Sequence, residues 1–220
     1  MIDYLQPTPT IDSSHEFVRE FANQHCGEQT DVREKAIRLY YAVRDGIRYD
    51  PYSIELSVDG LRASATLESK RGWCVPKAIL LTAVYRSIGI PSKLGFADVR
   101  NHLSTERLRK SMKTDVFYWH GYTAIYLDGK WIRLTPAFNI ELCHKFNIKP
   151  LDFNGYEDAI FHPFDLQGNR HLEYIRYRGE FNDVPIDLIK QTFEKEYPAK
   201  ESLENSSFDR DVEKEMGTGK

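Results

Sequence analysis

Cys74 and His120 are the residues of this 220-residue chain whose types and settings suit covalent chemistry. Cys74 lies in RGWCVPKAILLTAVYRSIGIPSKLGFADV, which reads as loop, cysteine, helix, turn and strand. Pro76 fits a first helical turn, where its missing N–H would have had no partner. Gly89 and Pro91 are successive stop signals. Val75, Ala78, Ile79 and Ala83 mark one side of the helix, and Leu80, Leu81 and Val84 fill much of the rest, so it should be buried nearly all round. A thiol at such a helix start faces unpaired N–H groups and the positive end of the dipole. Both favour the thiolate and predict a lowered pKa. The same N–H groups suit an oxyanion.

His120 lies in FYWHGYTAIYLDGKWIRLTPAFN, where Asp128-Gly129 is a two-residue hairpin signal between aromatic and β-branched runs. Pairing across that turn sets Leu127 opposite Lys130 and Tyr126 opposite Trp131. Carried back in register, it sets Tyr122 opposite Thr135. Alternation puts His120, Tyr122, Ala124 and Tyr126 on one face with Thr135, Arg133 and Trp131. A histidine near a cysteine at a helix start is what a cysteine nucleophile needs. Trp73, Trp119 and Tyr122 flank the pair as candidate walls of a substrate cleft.

The segments GWCVPKAILLTAVYRSIGIPSKLGFADV and WHGYTAIYLDGKWIRLTPAFN resemble the transglutaminase-like superfamily of cysteine enzymes in order and spacing, over roughly the middle half of the chain. The resemblance implies Cys74 as nucleophile and His120 as base. It implies a third residue, usually Asp, just before a proline, where this chain has Thr135 and then Pro136. Threonine accepts a hydrogen bond but cannot stabilise an imidazolium by charge. Asn139 is the alternative for orienting the ring, as an asparagine does in papain-like sites. The region before the cysteine loop often supplies a donor to the oxyanion in this family, and Tyr49 is the candidate, beside the Cys74 main chain.

The elements that must position these residues fit a single globular domain. The composition is 41% hydrophobic and 13% aromatic. A net charge of −3 gives no electrostatic case for nucleic acid. No apolar run approaches the ~20 residues that span a bilayer, and the first residues do not read as a signal peptide. Cys26, Cys74 and Cys143 form no CxxC, which suits a reducing cytosol.

In chain order, Ser13 with Glu16 fits a capping box, and Asp31 with Glu34 starts a second helix. Residues 50–72 read as a loop. The polar stretch RNHLSTERLRKSMK, with Arg107, Arg109, Lys110 and Lys113, reads as a surface helix or a lid admitting a carboxylate-bearing substrate. Cys143-His144 and His25-Cys26 cannot act as dyads, because adjacent side chains diverge in helix or strand. Neither His162 with His171 nor His102, His120 and His162 has metal-ligand spacing, so no metal and no cofactor are expected. His171 to Ile175 alternates as a strand, and Pro185 begins a helix to Tyr197. Residues 199–220 are charged, poor in apolar side chains and expected to be disordered.

The expectation is an α+β, papain-like or transglutaminase-like fold over residues 1–198, with a catalytic core at about 45–140. The Cys74 helix would pack on an antiparallel sheet, burying Ile79, Leu80, Ala83, Val84, Leu94, Phe96, Ile125, Ile132 and Leu134. The resemblance implies a thiol-dependent acyl-transfer enzyme hydrolysing an amide of a protein, peptide or small molecule, and the cysteine usage leads to the expectation that it is cytoplasmic. The alternatives are an inactive binding module and an amine-accepting transglutaminase.

Overall fold

A computed structural model describes residues 2–101, 104–160, 172–197, 203 and 206–216. After a 3-10 turn (Ile2–Leu5) come α1 (Glu16–Cys26), α2 (Val32–Gly46), β1 (Arg48–Tyr49), α3 (Val58–Leu61), α4 (Ala63–Ser69), β2 (Arg71–Gly72) and α5 (Cys74–Ser87). Then follow β3 (Ser92–Asn101), α6 (Glu106–Met112), β4 (Val116–Leu127), β5 (Lys130–Leu134), α7 (Ile140–Lys145), β6 (Leu172–Phe181), α8 (Ile186–Glu196) and α9 (Phe208–Met216). The main sheet is antiparallel in the order β5-β4-β3-β6, and β1 pairs with β2 in parallel. The fold is α+β, with α5 at its centre: α5 packs on β3 and β4, and α1, α2 and α4 cover its other sides.

Every residue of α5 from Cys74 to Arg86 is buried, as its all-round apolar character requires. Its two buried cations are satisfied by main-chain carbonyls. Lys77 Nζ donates to Arg44 O (2.8 Å) and Ile47 O (2.5 Å) at the end of α2, where helical carbonyls have no internal partner. Arg86 donates to Ser92 O, Gln6 O and Asn182 O, tying three segments to the far end of α5. Gly89 stops the helix in the left-handed region (φ +82°), its N–H on Arg86 O. The nine residues expected in the core are all buried.

The hairpin forms at Asp128 (φ +46°) and Gly129 (φ +85°), both left-handed as a type I′ turn requires. Its ladder runs from Leu127–Lys130 to Thr123–Leu134. The expected Tyr122–Thr135 pair is absent from it, because Thr135 turns its N–H to Ala159 O at 2.8 Å.

Three further local expectations are corrected. His15, not Ser13, caps α1: its Nδ1 accepts from Phe17 N, while Ser13 is held in a preceding turn by Ile11 O. Residues 50–72 hold two short helices, α3 and α4, whose Leu61, Ala63 and Thr66 are buried. Within the tail expected to be disordered, Phe208–Met216 is a helix, because Phe208 and Val212, one turn apart, are buried at 5% and 1% exposure. Residues 199–202, 204–205 and 217–220 lie outside the described residues, as do His102, His162 and His171. Among the described residues no helix is long and apolar enough to cross a membrane.

Candidate active site

Cys74 is the first residue of α5, with Trp73 as its N-cap, and it is 6% exposed. Main-chain N–H groups of Gly121, Val75 and Cys74 approach its sulfur and favour the thiolate. Burial opposes them and wins: the thiol is pushed up to about 12. This corrects the expectation of a depressed thiol pKa, which considered the helix terminus without the cost of drying it.

His120 arrives on β4 through an irregularity. Between the pairs Ala97–His120 and Val99–Phe117, β4 carries one residue more than β3, and Trp119 stands at φ +60°. A bulky residue there is a backbone outlier, and bulges beside sites re-aim the following side chain. Asp98 holds the bulge: its buried carboxylate accepts from Trp119 N (3.2 Å) and from Arg178 Nε (2.8 Å), the latter within an ion pair to a half-buried guanidinium. His120 lines one cavity with Cys74, and burial pushes its pKa down to about 4. Burial thus disfavours the charged form of each group taken alone.

Gly121 backs directly onto Val75, where a Cβ would come within 3.1 Å of the Val75 Cα. Thr123 continues that face, donating to Ala78 O at 2.9 Å. Tyr122 lies on the other side of the sheet, its ring over Gly95 and its hydroxyl donating to Glu180. Trp119 packs with Phe96 and Phe181 and donates from Nε1 to Thr192 at 2.9 Å. Of the three proposed cleft walls, only Trp73 lines the cavity of Cys74 and His120; Trp119 packs against Phe96 and Phe181, and Tyr122 over Gly95.

Tyr49 does line the cavity, its ring against Phe138 (4.9 Å) and Phe208 (5.8 Å). Burial raises its pKa well above the usual tyrosine value, which keeps it a hydroxyl donor. Neither candidate for orienting His120 bonds the ring. The Thr135 hydroxyl is buried with no hydrogen-bond partner among the described residues. The Asn139 amide oxygen accepts from Tyr49 N (3.2 Å), and its nitrogen donates to Glu141 (2.5 Å). Asn139 thus fixes the strand that bears Tyr49.

Part of the cavity roof comes from the segment read in sequence as a surface helix or lid; its apolar contacts and the share of α8 were not foreseen. Leu108 and Met112 of α6 with Phe193 and Tyr197 from α8 close over Cys74. Tyr197 accepts from Tyr118 N (2.9 Å) and donates to Val116 O (3.1 Å), pinning this end to β4. The apolar spacing of Leu108 with Met112, hidden in a basic segment, was the available signal. Elsewhere, Cys143 is fully buried with its sulfur toward Phe138 O, while His144 is exposed. Among the described residues no group of three His, Cys, Asp or Glu is placed to hold a metal ion.

Residues 19–136 match the transglutaminase-like superfamily, and the chain belongs to it. No curated protein matches the chain. Among solved structures it is similar to the "Putative Cysteine Protease from Cytophaga hutchinsonii", at 18% identity and a TM-score of 0.48, over 82% of this chain and 53% of that one. It is also similar to a "putative protease" from Parabacteroides distasonis, at 18% identity and a TM-score of 0.37, over 53% of this chain and 22% of the other. The chain thus spans about half the length of the first and about a fifth of the second.

Proposed function

We propose that this member of the transglutaminase-like superfamily is a thiol-dependent acyl-transfer enzyme that hydrolyses an amide of a peptide or small molecule. One observation carries the reading: Cys74 opens a buried helix, receives main-chain N–H groups at its sulfur, and lines the same cavity as His120. Because burial disfavours the charged form of each group, His120 works as a general base during attack rather than as the partner of a standing thiolate. The thiol proton passes to the imidazole as the sulfur–carbon bond forms. Main-chain N–H groups at the helix start, with the Tyr49 hydroxyl, stabilise the oxyanion. The imidazolium then protonates the leaving amine as the carbon–nitrogen bond breaks. Water, deprotonated by His120, releases the acid and restores the thiol.

The test is acylation by p-nitrophenyl acetate in a Cys26→Ser/Cys143→Ser background. A burst of nitrophenolate is expected, with one acetyl group on the Cys74 peptide by mass spectrometry. Cys74→Ser should abolish it, and His120→Ala should slow it by roughly 10²-fold or more. A wild-type Cys74 that takes no acetyl group would sink the enzyme reading and leave a binding module on the same fold.

A further inference from the structure

Trp119 and Arg178 come to Asp98 through two separate bulges. On one side of β3, the pairs Ala97–His120 and Val99–Phe117 leave β4 one residue too long. On the other, the pairs Phe96–Gly179 and Ala97–Tyr177 leave Arg178 as an extra residue of β6, beside Gly179 at φ +110°. Both irregularities fall at the same level of β3, and what they deliver meets on one carboxylate. Asp98, 4% exposed, accepts from Trp119 N (3.2 Å), from Arg178 Nε (2.8 Å) and from Arg178 Nη2 (2.8 Å). The guanidinium also lies over the Trp119 ring at 4.9 Å. Trp119 is thereby gripped by its main chain and by its ring, in a left-handed conformation that a tryptophan rarely adopts. His120, the next residue, lines the chamber it shares with Cys74.

Building on the acyl-transfer reading, we propose that Asp98 is a positioning residue: with Arg178 it holds Trp119 at positive φ and so sets the direction from which His120 meets Cys74. Released, Trp119 would relax to the usual negative φ. That rotation turns the peptide that follows, and with it the Cα–Cβ bond of His120. A carboxylate thus serves the site from β3, through the main chain of β4, in a chain that has Thr135 where the family pattern has Asp.

The test is a double-mutant cycle on the rate of Cys74 acylation by p-nitrophenyl acetate, in the Cys26→Ser/Cys143→Ser background. In that step the sulfur–carbon bond forms, the carbon–oxygen bond breaks, nitrophenolate leaves and His120 takes the thiol proton. Asp98→Asn keeps the shape but sets an NH2 group against the guanidinium, so it cannot hold Arg178 and Trp119 together. It should slow acylation about tenfold where His120 is present and less than about twofold in His120→Ala, because only a base that is there can be misplaced. Asp98→Ala should follow the same rule with a larger loss. The His120 imidazole, followed by NMR, should titrate higher in Asp98→Asn than in wild type, toward the reference value of 6.5. Removing a neighbouring negative charge would by itself move it lower. Equal losses in both backgrounds, no loss in either, or a titration that stays or falls would overturn the positioning role while leaving Cys74 and His120 as the reacting pair. No acetyl transfer in wild type, or transfer as fast in His120→Ala as in wild type, would overturn the acyl-transfer reading and the proposal with it. Asp98→Asn decides the matter even where Asp98→Ala does not fold.

Discussion

α5 and α9 both carry charged side chains into contact with the rest of the fold, by opposite means. In α5, Lys77 and Arg86 are 0% and 4% exposed and donate to main-chain carbonyls at the end of α2, at Gln6, at Asn182 and at Ser92, where β3 begins. In α9 the acidic residues reach across the surface: Asp209 to Arg48 (3.0 Å), Asp211 to Arg107 (2.6 Å) and Glu213 to Lys145 (3.0 Å). Glu215 accepts the first N–H of α6 at 2.9 Å. Breaking a buried bond leaves a polar group without water, which is costly, whereas an exposed ion pair exchanges for hydration at little net change. Cys74 thus sits on a part of the molecule expected to yield only on global unfolding, and its cover is fastened by exposed ion pairs expected to open locally.

The largest test of that contrast is a pair of truncations. Leu81→Ala, at a fully buried position of α5, should cost about 2–5 kcal/mol of global stability in urea denaturation. Val212→Ala, at a position of α9 that is also buried, should leave the midpoint nearly unchanged while speeding amide exchange throughout α9. A Val212→Ala loss as large as that of Leu81→Ala would mean that α9 belongs to the core, and the contrast would fail.

A second test asks how dry the cover keeps the site. His120 has a reference value of 6.5 and a folded value of about 4, so between those pH values the unfolded chain binds a proton that the folded chain does not. Its contribution is fully present above pH 6.5 and is lost as pH falls toward 4. The stability difference between wild type and His120→Gln should therefore shift in favour of wild type by about 3 kcal/mol as pH rises from about 4 to 6.5. Carboxylates common to both proteins cancel in the difference. Val212→Ala should shrink the shift, because a looser cover wets the imidazole. A shift unchanged by Val212→Ala would make the dryness a property of α5 and β4 alone.

The same contrast separates what was legible in sequence from what was not. α5 announced itself through continuous apolar character, Pro76 at its start and Gly89 at its end, and the hairpin through Asp128-Gly129, because each is specified by residues close together in the chain. The bulge at Trp119 was invisible, since it answers to Asp98 and Arg178 on neighbouring strands. Tyr122, two residues beyond His120 on a regular stretch of β4, does not reach the cavity that His120 shares with Cys74. The thiol pKa was misread for a related reason: the helix terminus is local, but the burial that overrides it comes from α6 and α8. The tail was misread because composition averages over a segment, whereas Phe208 and Val212 need only one helical face. The third member of the site departs from the family pattern in sequence and also in space, with Thr135 hydrogen-bonded through its main chain and Asn139 engaged with Tyr49.

The smallest effect tests the surface fastening itself. Arg107 is half-exposed and its partner Asp211 also accepts from the Tyr52 hydroxyl at 2.8 Å. Raising NaCl to about 0.5 M shortens the screening length to a few ångströms and weakens such exposed pairs. Alkylation of Cys74 by iodoacetamide, in the Cys26→Ser/Cys143→Ser background, should then accelerate a few-fold while the thermal midpoint stays in place. Arg107→Gln should give the same acceleration at low salt and make the rate less responsive to added salt. Were the cover held by its apolar contacts alone, through Phe208 against Tyr49 and Tyr52, neither salt nor Arg107→Gln would change the rate, and Phe208→Ala would be the variant that opens the chamber.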